Sequence, residues 1–121
     1  MLLDNIMEMN LIVNKTFQSI SVGVMLDGKL SVANADNLMD GRWWISRVNV
    51  QDNLRGLGIG STLLNRMIKE ILTYGETDII VAPGGYNQDT NKQFHFYEKN
   101  GFVKTNEDGL LTYKNELCQN I

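Results

Sequence analysis

Arg55-Gly56-Leu57-Gly58-Ile59-Gly60 separates two stretches of very different character. Before it, Trp43 to Val50 is bulky and apolar over much of its length, which reads as a central strand covered on both faces. After it, Leu63, Leu64, Met67, Ile68, Ile71 and Leu72 recur at the spacing of one helical face, predicting a helix over Ile59 to Tyr74. Asn65, Arg66, Lys69 and Glu70 fill the other face, and Gly75 can end the helix. Glycines in such a turn remove the Cβ atoms that would keep an anion from the backbone N–H groups. The helix start adds unpaired donors and the positive end of a dipole. Arg55 supplies a guanidinium and Ser61 a hydroxyl, so the turn has the makings of a diphosphate cradle.

Upstream, Ile6 to Val13 and Phe17 to Leu26 read as strands. In the second, Ile20, Val22 and Val24 alternate with Ser19, Ser21 and Gly23. Asp27-Gly28 suits a tight hairpin, Lys29 to Asn34 is the return strand, and Asn34 to Arg42 is polar and turn-rich. Downstream, Asp78 to Pro83 reads as a short buried strand and Gly84 to Asp89 as a loop. Thr90 or Asn91 can cap a second helix that runs to Asn100 and stops at Gly101. Phe102 to Thr105 and Leu110 to Lys114 flank a hairpin signal, Asn106-Glu107-Asp108-Gly109. The order predicts an α/β (α+β) fold: a mixed, mostly antiparallel central sheet of about six to seven strands with two main helices.

With 121 residues and no internal break in composition, one domain over 1–121 is expected. A net charge of −3 argues against a protein that coats nucleic acid, yet leaves room for a small anionic ligand held by local donors. The single cysteine, Cys118, cannot form an internal disulfide, which points to a reducing, cytoplasmic setting. Neither a membrane-length apolar run nor a leader-like start is present, so a soluble protein without membrane partners is expected. One histidine and one distant cysteine do not suggest a metal site.

Alone, three alternating glycines are a weak signal, since a close-packed strand–helix turn also needs them. Other phosphate loops fit poorly. A Walker-type loop requires Gly-Lys-Ser/Thr, and Gly60-Ser61-Thr62 has no lysine. A dinucleotide fingerprint needs a sixth-position glycine, where Ser61 stands, and a loop after the first strand rather than after a meander.

The stretch 55–60 instead resembles the hallmark of the GNAT superfamily of N-acetyltransferases, Arg/Gln-x-x-Gly-x-Gly/Ala after the fourth strand. A second family segment appears as Phe96-Tyr97-Glu98-Lys99-Asn100-Gly101-Phe102, in family order and spacing. The resemblance covers residues 43 to 114 and implies acetyl-CoA as co-substrate and a primary amine, small-molecule or protein-borne, as acceptor. Val48, Asn49 and Val50 would face the pantetheine arm in a gap between the strands ending at Val50 and Ala82. The N–H groups of Arg55, Gly56, Leu57, Gly58, Ile59, Gly60 and Ser61 would hold the diphosphate. A backbone N–H near Val48 would stabilise the oxyanion of direct amine attack. Tyr97 matches the family's general acid by position, although its spacing from Phe94 also suits core packing. The family's pantetheine-touching Asn position is Thr90 here, with Asn91 one step later; either could serve, or both could only cap the helix.

His95, on another face of the same helix from Tyr97, reads as a surface residue. The fourth strand has no carboxylate, and Asp40 and Asp52 only flank it, so no base is assigned. Only Asn14, Lys15 and Thr16 separate the first two strand-like runs, where family members usually insert two helices. The acceptor side is then either open or completed by a second subunit in a homodimer. Arg42, Trp43, Trp44 and Arg47 are candidates to line it, with core packing the stronger reading for both tryptophans. The rival reading is a GNAT-like module that binds CoA or a protein partner without turnover.

Overall fold

The computed structural model describes residues 10–51, 56–84, 90–107 and 109–114. Asp52, Arg55 and Cys118 lie outside them, as do Ile6 to Met9 of the first expected strand, the loop Gly85 to Asp89 and Asp108. The elements in chain order are β1 (Ile12–Lys15), β2 (Ser19–Leu26), β3 (Lys29–Asn37), β4 (Arg42–Asn49), α1 (Ile59–Leu72), β5 (Asp78–Val81), α2 (Thr90–Lys99), β6 (Phe102–Lys104) and β7 (Leu111–Tyr113). They form a seven-stranded sheet in the order β1-β2-β3-β4-β5-β7-β6. Only β4 and β5 pair in parallel, and α1 is their crossover; all other neighbours are antiparallel. The expected mixed sheet with two helices is the fold observed.

Alternation in the strands decides which face is covered. Ile20, Val22 and Val24 of β2, Ala33 and Ala35 of β3, and Trp43 and Ile45 of β4 point to one side and are buried. The helical stripe Ile59, Leu63, Leu64, Met67, Ile68 and Ile71 of α1 packs on them. Each such side chain contributes about 1.5–3 kcal/mol when removed from water. The alanines leave room for α1 to lie close over β3. Tyr97 of α2 and Phe102 of β6 extend the same core, their rings 5.4 Å apart.

Several boundaries differ from those expected, each for a local reason. β3 runs on to Asn37 through residues that look like turn formers. Ala35 is sandwiched between Ile20 and Ile45, and Asn37 donates its N–H to Gln18 O at 2.9 Å, so the ladder outlasts the apolar pattern. β4 is central in the sheet but is not covered on both faces: Trp43 and Ile45 are buried, whereas Ser46, Arg47 and Asn49 are exposed. The alternation also shifts at a bulge. Asn34 pairs with Arg47 and Ala35 with Ile45, which leaves Ser46 extra, its Oγ donating to Asn34 O at 3.2 Å. The helix α1 ends at Leu72 rather than Tyr74, as Thr73, Tyr74 and Gly75 tighten into bonds to the third residue back. β1 and β2 join through a tight turn in which Thr16 Oγ1 accepts from Ser19 N at 3.0 Å, so no helix lies between them.

Candidate functional site

The parallel pair β4–β5 starts close and then parts. Asp78 N and Thr77 Oγ1 both donate to Gly41 O, at 3.2 and 2.8 Å, and Cα pairing runs from Arg42–Asp78 to Trp44–Ile80. Beyond Trp44 the β4 strand continues to Asn49 beside β3 only, and no ladder to β5 is formed among the described residues. The bulge at Ser46 falls where the strands separate and turns β4 away from β5. Val48, Asn49 and Val50 therefore edge a gap, Val48 and Val50 half-buried against the core and Asn49 exposed.

The exit of β4 is held firmly on its other side. Gln51 donates its N–H to Ser31 Oγ at 3.2 Å and its Nε2 to Leu30 O at 2.7 Å. Ser31 is fully buried in the core, and this bond gives its hydroxyl a partner. Neither residue is marked in the sequence, because the bond is made across twenty positions of chain and no local pattern encodes it.

From there the chain enters the glycine turn. Gly56 and Gly58 have φ of 85° and 80°, and a Cβ at either would meet nothing within 4 Å. Gly58 is the N-cap of α1, with no side-chain cap and no acidic residue in the first turn. Among the described residues no side-chain cap claims the donors at the helix start, and no acidic residue in the first turn offsets its dipole. Leu57 is half exposed beside them and Ile59 is buried. Gly60 is different. A Cβ there would come within 3.2 Å of Phe96 and 3.4 Å of Val50, so its glycine serves close packing of α1 on α2 rather than access for an anion.

α2 lies across the gap. Near its start, Gln93 Oε1 accepts from Gly84 N at 2.7 Å, holding the exit of β5. Near its end, Phe96 touches Gly60, and Asn100 Nδ2 donates to Ser61 Oγ at 3.1 Å. The structure thereby brings together Val50, Gly60 and Ser61 from the turn with Phe96 and Asn100 of α2. Thr90 and Asn91 occupy the first turn of α2 and are exposed, on the β5 side of the gap. Thr90 Oγ1 lies 3.9 Å from the Cβ direction of Gly84. His95 is exposed, as expected.

Tyr97 is 6% exposed, its ring edge-on to both Phe96 (5.1 Å) and Phe102 (5.4 Å). Burial pushes its phenol up to about 12. The proton stays on this oxygen throughout the physiological range.

Trp43 does not reach the gap. It is 2% exposed at the opposite end of the sheet, stacked on Tyr74 with centroids 5.8 Å apart and planes 8° apart. Arg42 is there too, paired with Asp40 at 2.7 Å. The Arg42 guanidinium holds the Asp40 carboxyl below the usual range. Register puts Trp44 and Arg47 on the face turned away from α1, where Trp44 is half-buried and Arg47 exposed. A groove of about 430 Å³ runs between Phe94 and the β6–β7 turn, lined also by Lys104 and Glu107, and does not include the glycine turn. No helix among the described residues is long and apolar enough to cross a membrane. They also contain no cluster of three or more metal-ligating side chains.

Parted parallel strands thus lead towards an uncapped, glycine-lined helix start. Residues 19–104 match the acetyltransferase (GNAT) domain, and the chain belongs to that family. The sequence has no match among curated proteins. Among solved structures, the PaiA N-acetyltransferase from Thermoplasma acidophilum, in complex with coenzyme A, superposes with a TM-score of 0.68 at 20% identity. That match covers 81% of this chain but 62% of the longer Thermoplasma protein. A GNAT acetyltransferase from Elizabethkingia anophelis with acetyl-CoA bound gives 0.67 at 16% identity, covering 81% and 77%. The anti-CRISPR protein AcrVA5 gives 0.62 at 19% identity, covering 81% of this chain and 100% of AcrVA5.

Proposed function

We propose that the chain is a single-domain acetyl-CoA-dependent N-acetyltransferase of the cytoplasm. The acetyl group passes to a primary amine by direct attack in a ternary complex. One observation carries this reading: β4 and β5 part beyond Trp44, on the stretch of β4 that leads towards the glycine turn and the uncapped start of α1. In the proposed complex, backbone groups of Val48, Asn49 and Val50 take the pantetheine arm as an added strand would. The N–H groups from Gly56 to Ser61 hold the diphosphate, with the Arg55 guanidinium assigned there from sequence. Thr90 and Asn91 approach from the β5 side of the gap.

The amine nitrogen bonds to the thioester carbon, the carbon–sulfur bond breaks, and the amine's proton passes to solvent. Tyr97 is assigned as the group that donates to the departing sulfur. A phenol near 12 parts with its proton reluctantly, so its contribution is a hydrogen bond to the thiolate more than a completed transfer. An amine on a bulky molecule, such as a protein lysine or terminus, suits the missing helices between β1 and β2. Closure of the acceptor side by a second copy is part of the same proposal; neither nucleic acid nor a metal has a role in it.

Thiol release from acetyl-CoA, measured with a panel of small amines and lysine-bearing peptides, tests the reading. Turnover with an amine supports it. CoA binding without release on any acceptor would leave the rival, a non-catalytic CoA-binding module, which draws on the burial of Tyr97. No CoA binding would reject both.

A further inference from the structure

Asn100 ends α2, yet its side chain is committed elsewhere. Nδ2 uses both hydrogens, one on Phe96 O at 2.8 Å and one on Ser61 Oγ at 3.1 Å in the first turn of α1. Its backbone N–H donates to Tyr97 O at 3.0 Å. One half-buried residue thus contacts α1 at its start, the residue assigned to the leaving sulfur, and the helix joining them.

The two hydroxyls at the start of α1 behave differently. Thr62 Oγ1 turns back to Gly58 O at 3.0 Å, which satisfies its hydrogen inside the helix. Ser61 Oγ accepts from Asn100, and its own O–H has no acceptor among the described residues. A hydroxyl with one lone pair fixed has its hydrogen left to direct at another acceptor.

We infer that Asn100 is a positioning residue for the diphosphate of coenzyme A, holding the Ser61 hydroxyl so that it joins the N–H donors of α1's first turn. The inference rests on the acetyl-CoA reading. It differs from a plain helix stop, for which Gly101, at φ 99°, already suffices.

The test uses the full chain with Ser61→Ala, Asn100→Ala and the double variant, each assayed with acetyl-CoA and with S-acetylpantetheine, which lacks the diphosphate. Each single variant should raise the acetyl-CoA KM by about three- to tenfold with kcat little changed, and the double should be no worse than either single, because one interaction is removed each time. Turnover of S-acetylpantetheine should change less than about twofold. Asn100→Asp, isosteric but without the donor, replaces the alanine variant if that one does not fold. Additive losses, equal losses on both thioesters, or an unchanged acetyl-CoA KM would each overturn the positioning role while leaving the transferase reading intact. Failure of the wild type to bind CoA would remove both.

Discussion

The two ends of α1 are built on opposite plans. At its C-terminal end the protein closes on itself. Lys15 reaches across from β1 to Glu70 at 3.1 Å and to Thr73, and its ammonium sits 4.7 Å from the Tyr74 ring. Tyr74 stacks on Trp43 and meets Phe17 edge-on at 5.5 Å. The Arg66 guanidinium and then the Lys15 ammonium keep the Glu70 carboxyl below its usual range. At the N-terminal end the same helix begins on a left-handed glycine with no side-chain cap, beside strands that have lost each other. A side-chain cap in place of the glycine would stabilise the helix by roughly a few tenths of a kcal/mol. Leaving it out keeps donors available, so the helix is anchored at one end and receptive at the other.

Damage at one end should therefore spare the job of the other. Gly58→Asp should have the largest effect, a loss of CoA affinity of about a thousandfold, since a carboxylate would sit beside the diphosphate in a strained backbone. Titration calorimetry checks this, and wild-type affinity would break the contrast outright. Trp43→Ala should instead cost about 3–5 kcal/mol of stability in urea unfolding, with CoA affinity of the folded fraction unchanged. A large change in that affinity would mean that the two ends are coupled.

Tyr97→Phe belongs to the receptive end and should lower turnover about tenfold or more with the acetyl-CoA KM unchanged. It also carries a signature in pH. Burial pushes the folded phenol up to about 12 against an ordinary value of about 10, so ionisation favours the unfolded chain above 10. The stabilising preference for the neutral form is complete below pH 10 and is lost as pH rises towards 12, about 2–3 kcal/mol in all. Urea unfolding across that window should show a decline that Tyr97→Phe lacks. The smallest effect is expected from Lys15→Met, at most about 1 kcal/mol, because the pair it breaks is partly solvated.

How much was legible beforehand follows the range over which the physics acts. Residues 59–72 declare a helix because six apolar side chains repeat along one face, and 19–26 declare a strand because alternation is local. The glycine turn and the segment 96–102 point as a pair to the candidate site. What the sequence hid is contact between distant positions. The bulge at Ser46 exists only through the β3 register, and Gly60 looks like its neighbours until Phe96 is placed against it. Tyr97 shows the same limit: its position in the motif is visible, but the burial that raises its pKa comes from Phe96 and Phe102 folding around it. Polarity misled at Asp36 and Asn37, which continue the strand by backbone pairing, with Asn37 Nδ2 adding a bond to Phe17 O at 2.9 Å.

The gap beyond Trp44 has a cost that an occupant would offset. Backbone that lacks a neighbouring strand resembles an internal sheet edge, and α2 spans that edge without zipping it shut. A cofactor lying in the breach would act as a rung of the sheet, and at a hundred times its dissociation constant it would add about 2.7 kcal/mol against unfolding. The melting temperature of this protein then becomes a gauge of how much coenzyme surrounds it.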